Sequence, residues 1–179
     1  STACAAGAHS IGESYRNILH GDADIMVTGG SEAPIIPTGI GGFMIMRALS
    51  RNNAQPHQAS RPFDKNRDGF IVGEGAGVLV LESLTHALNR RAPILAEMIG
   101  YAHNNDAFHI SAPPPRHEGA ARCMKLALQN ASISPKAVDY INAHGTSTLQ
   151  NDANECRAIR DVFGNAADQL VVSSTKGAT

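Results

Sequence analysis

Val138-Asp139-Tyr140-Ile141-Asn142-Ala143-His144-Gly145-Thr146-Ser147-Thr148 is the stretch on which the fold turns. Residues 138–142 read as a short strand, closed by a histidine, a glycine and three hydroxyl residues. Asp152 to Phe163 then carries a helical pattern, and Leu170 to Ser173 a second short strand. Strand, helix and strand in that order are the unit of an α/β fold with a layered sheet.

The alternation continues toward the N-terminus. Glu118 to Ala131 reads as a helix with Ala121, Met124, Leu126 and Leu128 inward, and Ile94 to Tyr101 alternates as a strand. Ser83 to Arg91 is a helix with Ser83 placed to cap it. Gly77 to Glu82 is a continuous apolar run, the pattern of a strand buried on both faces in a parallel or mixed sheet. Ala23 to Thr28 is a second buried strand, closed by Gly29-Gly30. From Ala5 to Leu19 the apolar residues Ala8, Ile11, Tyr15, Ile18 and Leu19 fall at helical spacing, and Gly21 suits the left-handed position after a helix. Pro34 and Pro37 mark a loop, with a short helix within Gly39 to Leu49. Residues 50–69 are polar and turn-rich and form a long surface excursion, a length that inside a compact domain often serves function.

Composition narrows the function classes. The 179 residues are 42% hydrophobic and 17% charged with a net charge of −1, so bulk electrostatics point neither to nucleic acid nor to an anionic membrane. No apolar run approaches the roughly 20 residues of a spanning helix, and no basic segment with an apolar stretch opens the chain. Cys4, Cys123 and Cys156 are odd in number and widely spaced, which argues for a reducing compartment and against a disulfide framework or a zinc site. A cytoplasmic setting is the expectation.

Three residues are candidates for chemistry. Cys4 sits just before the first amphipathic helix, in a run of Ala and Gly that would let an acyl group approach the sulfur. The free N–H groups at that helix end would stabilise a thiolate; the alternative is a buried structural cysteine. His144 stands at the C-terminal end of a strand, where α/β folds place reacting groups. It could equally be a histidine bonded to a nearby carbonyl. Lys176, in Ser173-Ser174-Thr175-Lys176, faces either solvent or a site. Gly73-Glu74-Gly75-Ala76-Gly77 lacks the spacing of a nucleotide loop and leads into a strand, and no histidine pair has metal-ligand spacing.

Taken together, these segments resemble the elongating β-ketoacyl-acyl-carrier-protein synthases of the thiolase superfamily. The matching stretches are Ser1-Thr2-Ala3-Cys4, Gly21-Asp22-Ala23-Asp24, Arg61-Pro62-Phe63-Asp64 through Arg67-Asp68-Gly69-Phe70, and Gly73-Glu74-Gly75-Ala76. Asp106-Ala107-Phe108-His109, Asn142 through Thr148 and Ser173-Ser174-Thr175-Lys176 follow in the family's order. The resemblance implies a thiolase-like αβαβα sandwich. Residues 1–91 would end its N-terminal half, with the nucleophile. Residues 92–179 would begin its C-terminal half, with the catalytic histidine and lysine.

It further implies that Cys4 takes the acyl chain as a thioester, that His144 polarises the malonyl thioester and stabilises the enolate, and that Lys176 supports that pocket. Thr146 and Thr148 match hydroxyls that bond the pantetheine arm. The implied reaction is a decarboxylative Claisen condensation on acyl-carrier protein, without metal or redox cofactor, in an enzyme that is a homodimer when complete. In the family the segment after the lysine runs into a Gly-His pair, supplying a second histidine. A glycine-rich loop follows, and further strands precede the nucleophile. The chain is therefore expected to be an internal part of such an enzyme, inactive alone. Leu149-Gln150 stands where the family usually has proline after the threonine, and Gly177-Ala178 looks more like mitochondrial-type members, so a mitochondrial matrix is the alternative location.

A papain-like cysteine protease also pairs an early cysteine with a histidine 130–150 residues on. The tryptophan-containing signature is absent, however, since the chain has no Trp. Degradative thiolases and chalcone-type synthases share the fold, but the His144 and Lys176 motifs favour the carrier-protein enzymes.

Overall fold

A computed structural model describes residues 2–178. A 3-10 turn at Ala3–Ala5 leads into α1 (Ala6–His20), followed by β1 (Ile25–Glu32) and α2 (Pro37–Ile45). After the excursion come β2 (Gly75–Glu82), α3 (Leu84–Asn89) and α4 (Glu118–Ala131). The second part ends with β3 (Tyr140–Asn142), α5 (Leu149–Phe163) and β4 (Val171–Ser173). Helices and strands therefore mix along the chain, as the sequence predicts.

The helix ends follow local chemistry. Gly21 closes α1 at φ 81°, a conformation glycine adopts without the steric cost of a Cβ, and its N–H bonds the carbonyls of Asn17 and Ile18. The Ser83 hydroxyl accepts the His86 N–H at 3.3 Å and caps α3.

Two two-stranded ladders lie among the described residues. β1 and β2 pair antiparallel, from Ile25 opposite Glu82 to Glu32 opposite Gly75. β3 and β4 pair parallel, with Tyr140 opposite Val171 and Asn142 opposite Ser173. Helix α1 lies on β1, and Gly7 meets Gly30 there: a Cβ on Gly30 would come within 3.2 Å of the Gly7 Cα. That glycine-on-glycine contact brings the start of α1 close to the sheet. Helices α4 and α5 pack together, burying Ala121 from the first and Ala158, Ile159 and Phe163 from the second.

Three expectations fail in detail. The Gly77–Glu82 strand exists but is antiparallel and largely uncovered: Val78 is 64% and Val80 61% exposed, and Val27 on β1 is 71% exposed. An apolar run records that a strand needs cover, not which element supplies it, and among the described residues no element covers that surface. Ile94 to Tyr101 is not a strand, and Leu95 stands almost wholly in solvent. Alternation marks an extended chain, but a ladder needs a partner, and among the described residues none runs beside it. Leu126 faces outward on α4, which turns inward through Ala121.

Candidate active site

The His144 loop is built at the C-terminal ends of the two parallel strands. Ala143 donates its N–H to the Ser173 carbonyl at 2.7 Å, extending the ladder by one bond before the chains diverge. The Ser174 hydroxyl then spans the gap, within 3.2 Å of the His144 carbonyl and 3.0 Å of that of Gly145. The same hydroxyl accepts the Lys176 N–H at 3.2 Å. Adjacent strand ends thus place His144 and Lys176 side by side.

Glu155, on α5, holds the loop from the other side. Its carboxylate accepts the His144 N–H at 2.7 Å and the Gly145 N–H at 2.8 Å, one on each oxygen. Gly145 has φ 41°, and a Cβ there would sit 2.4 Å from the Ser174 Cβ, so only glycine fits this turn. Thr146 and Thr148 point their hydroxyls at each other, 2.8 Å apart.

The electrostatics favour a neutral imidazole. Crowding by surrounding protein pushes the His144 pKa below its usual value and the Lys176 charge pushes it the same way; Glu155 and Asp152 offset this in part. His144 nevertheless keeps an open side. A ring whose surroundings favour the neutral form, with the Lys176 charge nearby and one side open, is suited to donating a hydrogen bond to an oxygen that gains negative charge.

Cys4 lies in the exposed 3-10 turn before α1, the helix that packs on the other ladder. Ala3, immediately before it, has φ 50°, a left-handed conformation that costs an alanine roughly 1–2 kcal/mol. Such strain persists where surrounding contacts impose it. Here Ala5 N–H bonds the Thr2 carbonyl at 3.1 Å, and the Thr2 hydroxyl lies 2.8 Å from His9 Nδ1. The result is a thiol raised on a tight turn in front of a helix. Among the described residues Cys4 shares no hydrogen bond with the His144 group. Burial raises the thiol pKa of both Cys123 and Cys156, opposite to what a nucleophile needs.

The polar excursion supports the site in a way that its sequence does not announce. Its segment from Ser60 to Gly69 packs directly against the His144 loop. Ser60 donates to the Lys176 carbonyl, Arg61 N–H to the Ser147 hydroxyl at 3.1 Å, Phe63 N–H to the Asp152 carboxylate at 2.8 Å, and Gly69 N–H to the Ser147 carbonyl at 2.9 Å. Glu155 and Asp152 escape the sequence reading, and Ser174 and Arg67 enter it only inside the stretches that carry the resemblance, with no role given. The sequence signal for Asp152 is a carboxylate in the first turn of a helix just after the histidine motif.

Among the described residues no group of three His, Cys, Asp or Glu could hold a metal ion, and no helix is long and apolar enough to cross a membrane.

Comparison with known proteins places the chain in a family. Residues 1–87 match the family model of the β-ketoacyl synthase N-terminal domain, and residues 95–179 that of the β-ketoacyl synthase C-terminal domain. The chain is 53% identical over 178 residues to a 3-oxoacyl-[acyl-carrier-protein] synthase 2 of Coxiella burnetii, covering 99% of this chain and 43% of the relative. It is 54% identical to the protein of the same name from Staphylococcus aureus, of which it covers 44%. The chain thus spans less than half the length of these relatives. Among solved structures, a ketosynthase in complex with its type II PKS acyl-carrier protein, bound to a hexaketide, superimposes with a TM-score of 0.96 at 46% identity, covering 98% of this chain and 43% of that one. A β-ketoacyl synthase from Burkholderia phymatum gives 0.90 at 41% identity, covering 97% of this chain and 41% of that one. With one family's two domain models covering nearly every residue and its solved members sharing this fold, the chain belongs to the β-ketoacyl synthase family and has its thiolase-like α/β fold.

Proposed function

We propose that this chain is the nucleophile- and histidine-bearing part of a longer condensing enzyme, which extends an acyl chain by decarboxylative Claisen condensation with a malonyl group on acyl-carrier protein. The observation that carries the reading is the pairing of His144 and Lys176 at adjacent strand ends, with the imidazole held neutral beside the cation. The relatives, which are named 3-oxoacyl-[acyl-carrier-protein] synthase 2, point the same way.

In this reading the Cys4 thiolate attacks the carbonyl carbon of an acyl thioester, the carrier thiolate leaves, and the acyl group rests on Cys4. Malonyl thioester then binds with its carbonyl oxygen toward His144. Its bond to the carboxylate breaks, carbon dioxide departs, and the electron pair forms an enolate that the imidazole N–H stabilises. The enolate carbon attacks the acyl-Cys4 carbonyl, the C–S bond breaks, and Cys4 leaves as thiolate. Burial, with the Lys176 charge adding to it, favours the neutral His144 ring through this sequence. The Thr146 and Thr148 hydroxyls face the pantetheine arm, and no metal or redox group enters.

The bared faces of β1 and β2 support the view that the enzyme extends outside these residues. A contiguous apolar surface containing Val27, Val78 and Val80 is covered in a stable protein. We infer that residues 1–91 and 92–179 contribute to different halves of the thiolase-like sandwich, in line with the spans of the two family models. In this reading the rest of the enzyme supplies a second histidine and a gating loop, the complete protein is a homodimer, and its location is the cytoplasm.

Separating the half-reactions in the full-length protein tests the assignment. His144→Ala is expected to accept an acyl group on Cys4, seen by intact mass, while losing malonyl decarboxylation by about 10²–10³-fold, the usual cost of one such donor. Cys4→Ala is expected to release carbon dioxide from malonyl thioester without forming condensation product. If His144→Ala abolished acylation and left decarboxylation untouched, His144 would be the base for Cys4, and its role as enolate stabiliser would be wrong.

A further inference from the structure

We propose that Arg67 is a positioning residue for the Thr146–Thr148 loop, keeping both hydroxyls where a pantetheine arm can meet them. This rests on the proposed condensing function, in which those hydroxyls receive the arm.

Arg67 lies in the excursion, 81 residues before Thr148. Its guanidinium donates from Nε to the Thr148 carbonyl and from Nη2 to the Leu149 carbonyl, each at 2.9 Å. Nη1 reaches back to the Asp64 carbonyl at 3.0 Å, which fixes the fork within its own turn. Nε also lies 3.5 Å from Oδ2 of Asp152, a carboxylate whose side chain is 1% exposed. One planar group therefore ties the excursion to the N-cap of α5, to its first residue and to a buried charge. Only a guanidinium has donors fanned in one plane to do this; an ammonium is a point donor.

What is held is a strained piece of backbone. Ser147, between the two threonines, is fully buried at φ 64°, a left-handed conformation unfavourable for serine. Its hydroxyl and carbonyl are both fastened to the excursion, through Arg61 N–H and Gly69 N–H. The Thr146 and Thr148 hydroxyls are partners across this kink. If Arg67 is removed, the Thr148 and Leu149 carbonyls lose their outside donor and the Asp152 carboxylate loses its cation; the kink then keeps only its Arg61 and Gly69 ties at Ser147, and the Thr148 side of it can shift so that the two hydroxyls part. Arg67 needs no contact with substrate for this. Its effect runs through the loop.

The test uses the full-length protein and its Arg67→Lys and Arg67→Ala variants. The readouts are steady-state kinetics with malonyl on acyl-carrier protein, acylation of Cys4 by a short thioester lacking the pantetheine arm, and hydrogen exchange over residues 146–149. Misplacing a binding group by about an ångström can cost up to ~10²-fold, so we expect KM for the carrier-bound substrate to rise tenfold or more in both variants. We expect kcat and short-thioester acylation to change much less, exchange over 146–149 to speed up, and millimolar guanidinium to recover part of the KM in Arg67→Ala. Unchanged KM and exchange in both variants, beside an active wild type, would overturn the role of Arg67 alone. Loss of the fold in both would make Arg67 a structural residue and overturn it as well. A wild-type protein with no condensing activity would overturn the functional reading, and this role with it.

Discussion

Replacing Glu155 with glutamine probes the site most economically, because the change removes one charge and one acceptor and preserves volume. The carboxylate gives each oxygen to a separate backbone N–H, at 2.7 and 2.8 Å, and Asn151 Nδ2 donates to the second oxygen at 3.3 Å. Glutamine keeps one oxygen, so one N–H loses its acceptor and meets an NH₂ group instead. A hydrogen bond to a charged group is worth roughly 1.5–3 kcal/mol, and a buried donor left unmade costs ~1–3 kcal/mol. The Gly145 N–H is buried, so the local cost is about 2–3 kcal/mol, equivalent to about 30- to 150-fold in the opening equilibrium of the turn. Hydrogen exchange at His144 and Gly145 in the full-length protein reads this directly. Glu155 also holds the His144 pKa up, so its loss lets that pKa fall further and moves the acid limb of the malonyl decarboxylation profile to lower pH. Unchanged exchange at these two amides in Glu155→Gln would show that something other than this carboxylate holds the loop.

Other consequences follow from the same structure. A limiting thiol reagent at neutral pH is expected to label Cys4 before Cys123 or Cys156, whose thiols burial holds protonated; mass mapping of the first adduct checks this, and first labelling of either of the others would remove Cys4 as nucleophile. Lys176→Met takes away a charge that lowers the His144 pKa, so the acid limb of decarboxylation is expected to move up in pH, opposite in sign to Glu155→Gln. An acid limb that stays in place would mean that another group titrates. Glu82 is bonded by Arg90 and His86, which lower its pKa from the ordinary 4.5 to about 2. Its contribution to stability is therefore complete above pH 4.5 and lost as pH falls from there toward 2, and Glu82→Gln should flatten the acid-unfolding curve over that interval. An unaltered curve would show that the three side chains add nothing to stability.

Much of the site is legible in the sequence, for reasons specific to each residue. His144 follows a recognisable strand and precedes a glycine, a pattern that puts it at a sheet end but leaves open what the ring meets there. Cys4 precedes an amphipathic periodicity with a clear glycine stop. Thr146 and Thr148 enter only through the family resemblance, and it is the left-handed Ser147 between them that the structure adds. What cannot be read depends on contacts across long stretches of chain. Phe63 meets Asp152 and Arg67 meets Thr148 over gaps of more than 80 residues, and local pattern carries no information on such pairs. Hence the excursion is recognisable as long but not as the support of the site. The positive φ at Ala3 and Ser147 is equally hidden, because neither residue type advertises a left-handed conformation. The Ile94–Tyr101 error has the same root, since alternation describes one chain while a strand is a property of two.

The condensing chemistry itself is tested most directly by charging the full-length protein with an acyl-carrier thioester, mapping the adduct, and then adding malonyl-acyl-carrier protein. The expected result is an acyl thioester on the peptide containing Cys4, discharged by malonyl as carbon dioxide is released, with a product two carbons longer carrying a β-keto group. An acyl group found elsewhere, or one released from Cys4 by water with no carbon–carbon bond formed, would rule this chemistry out.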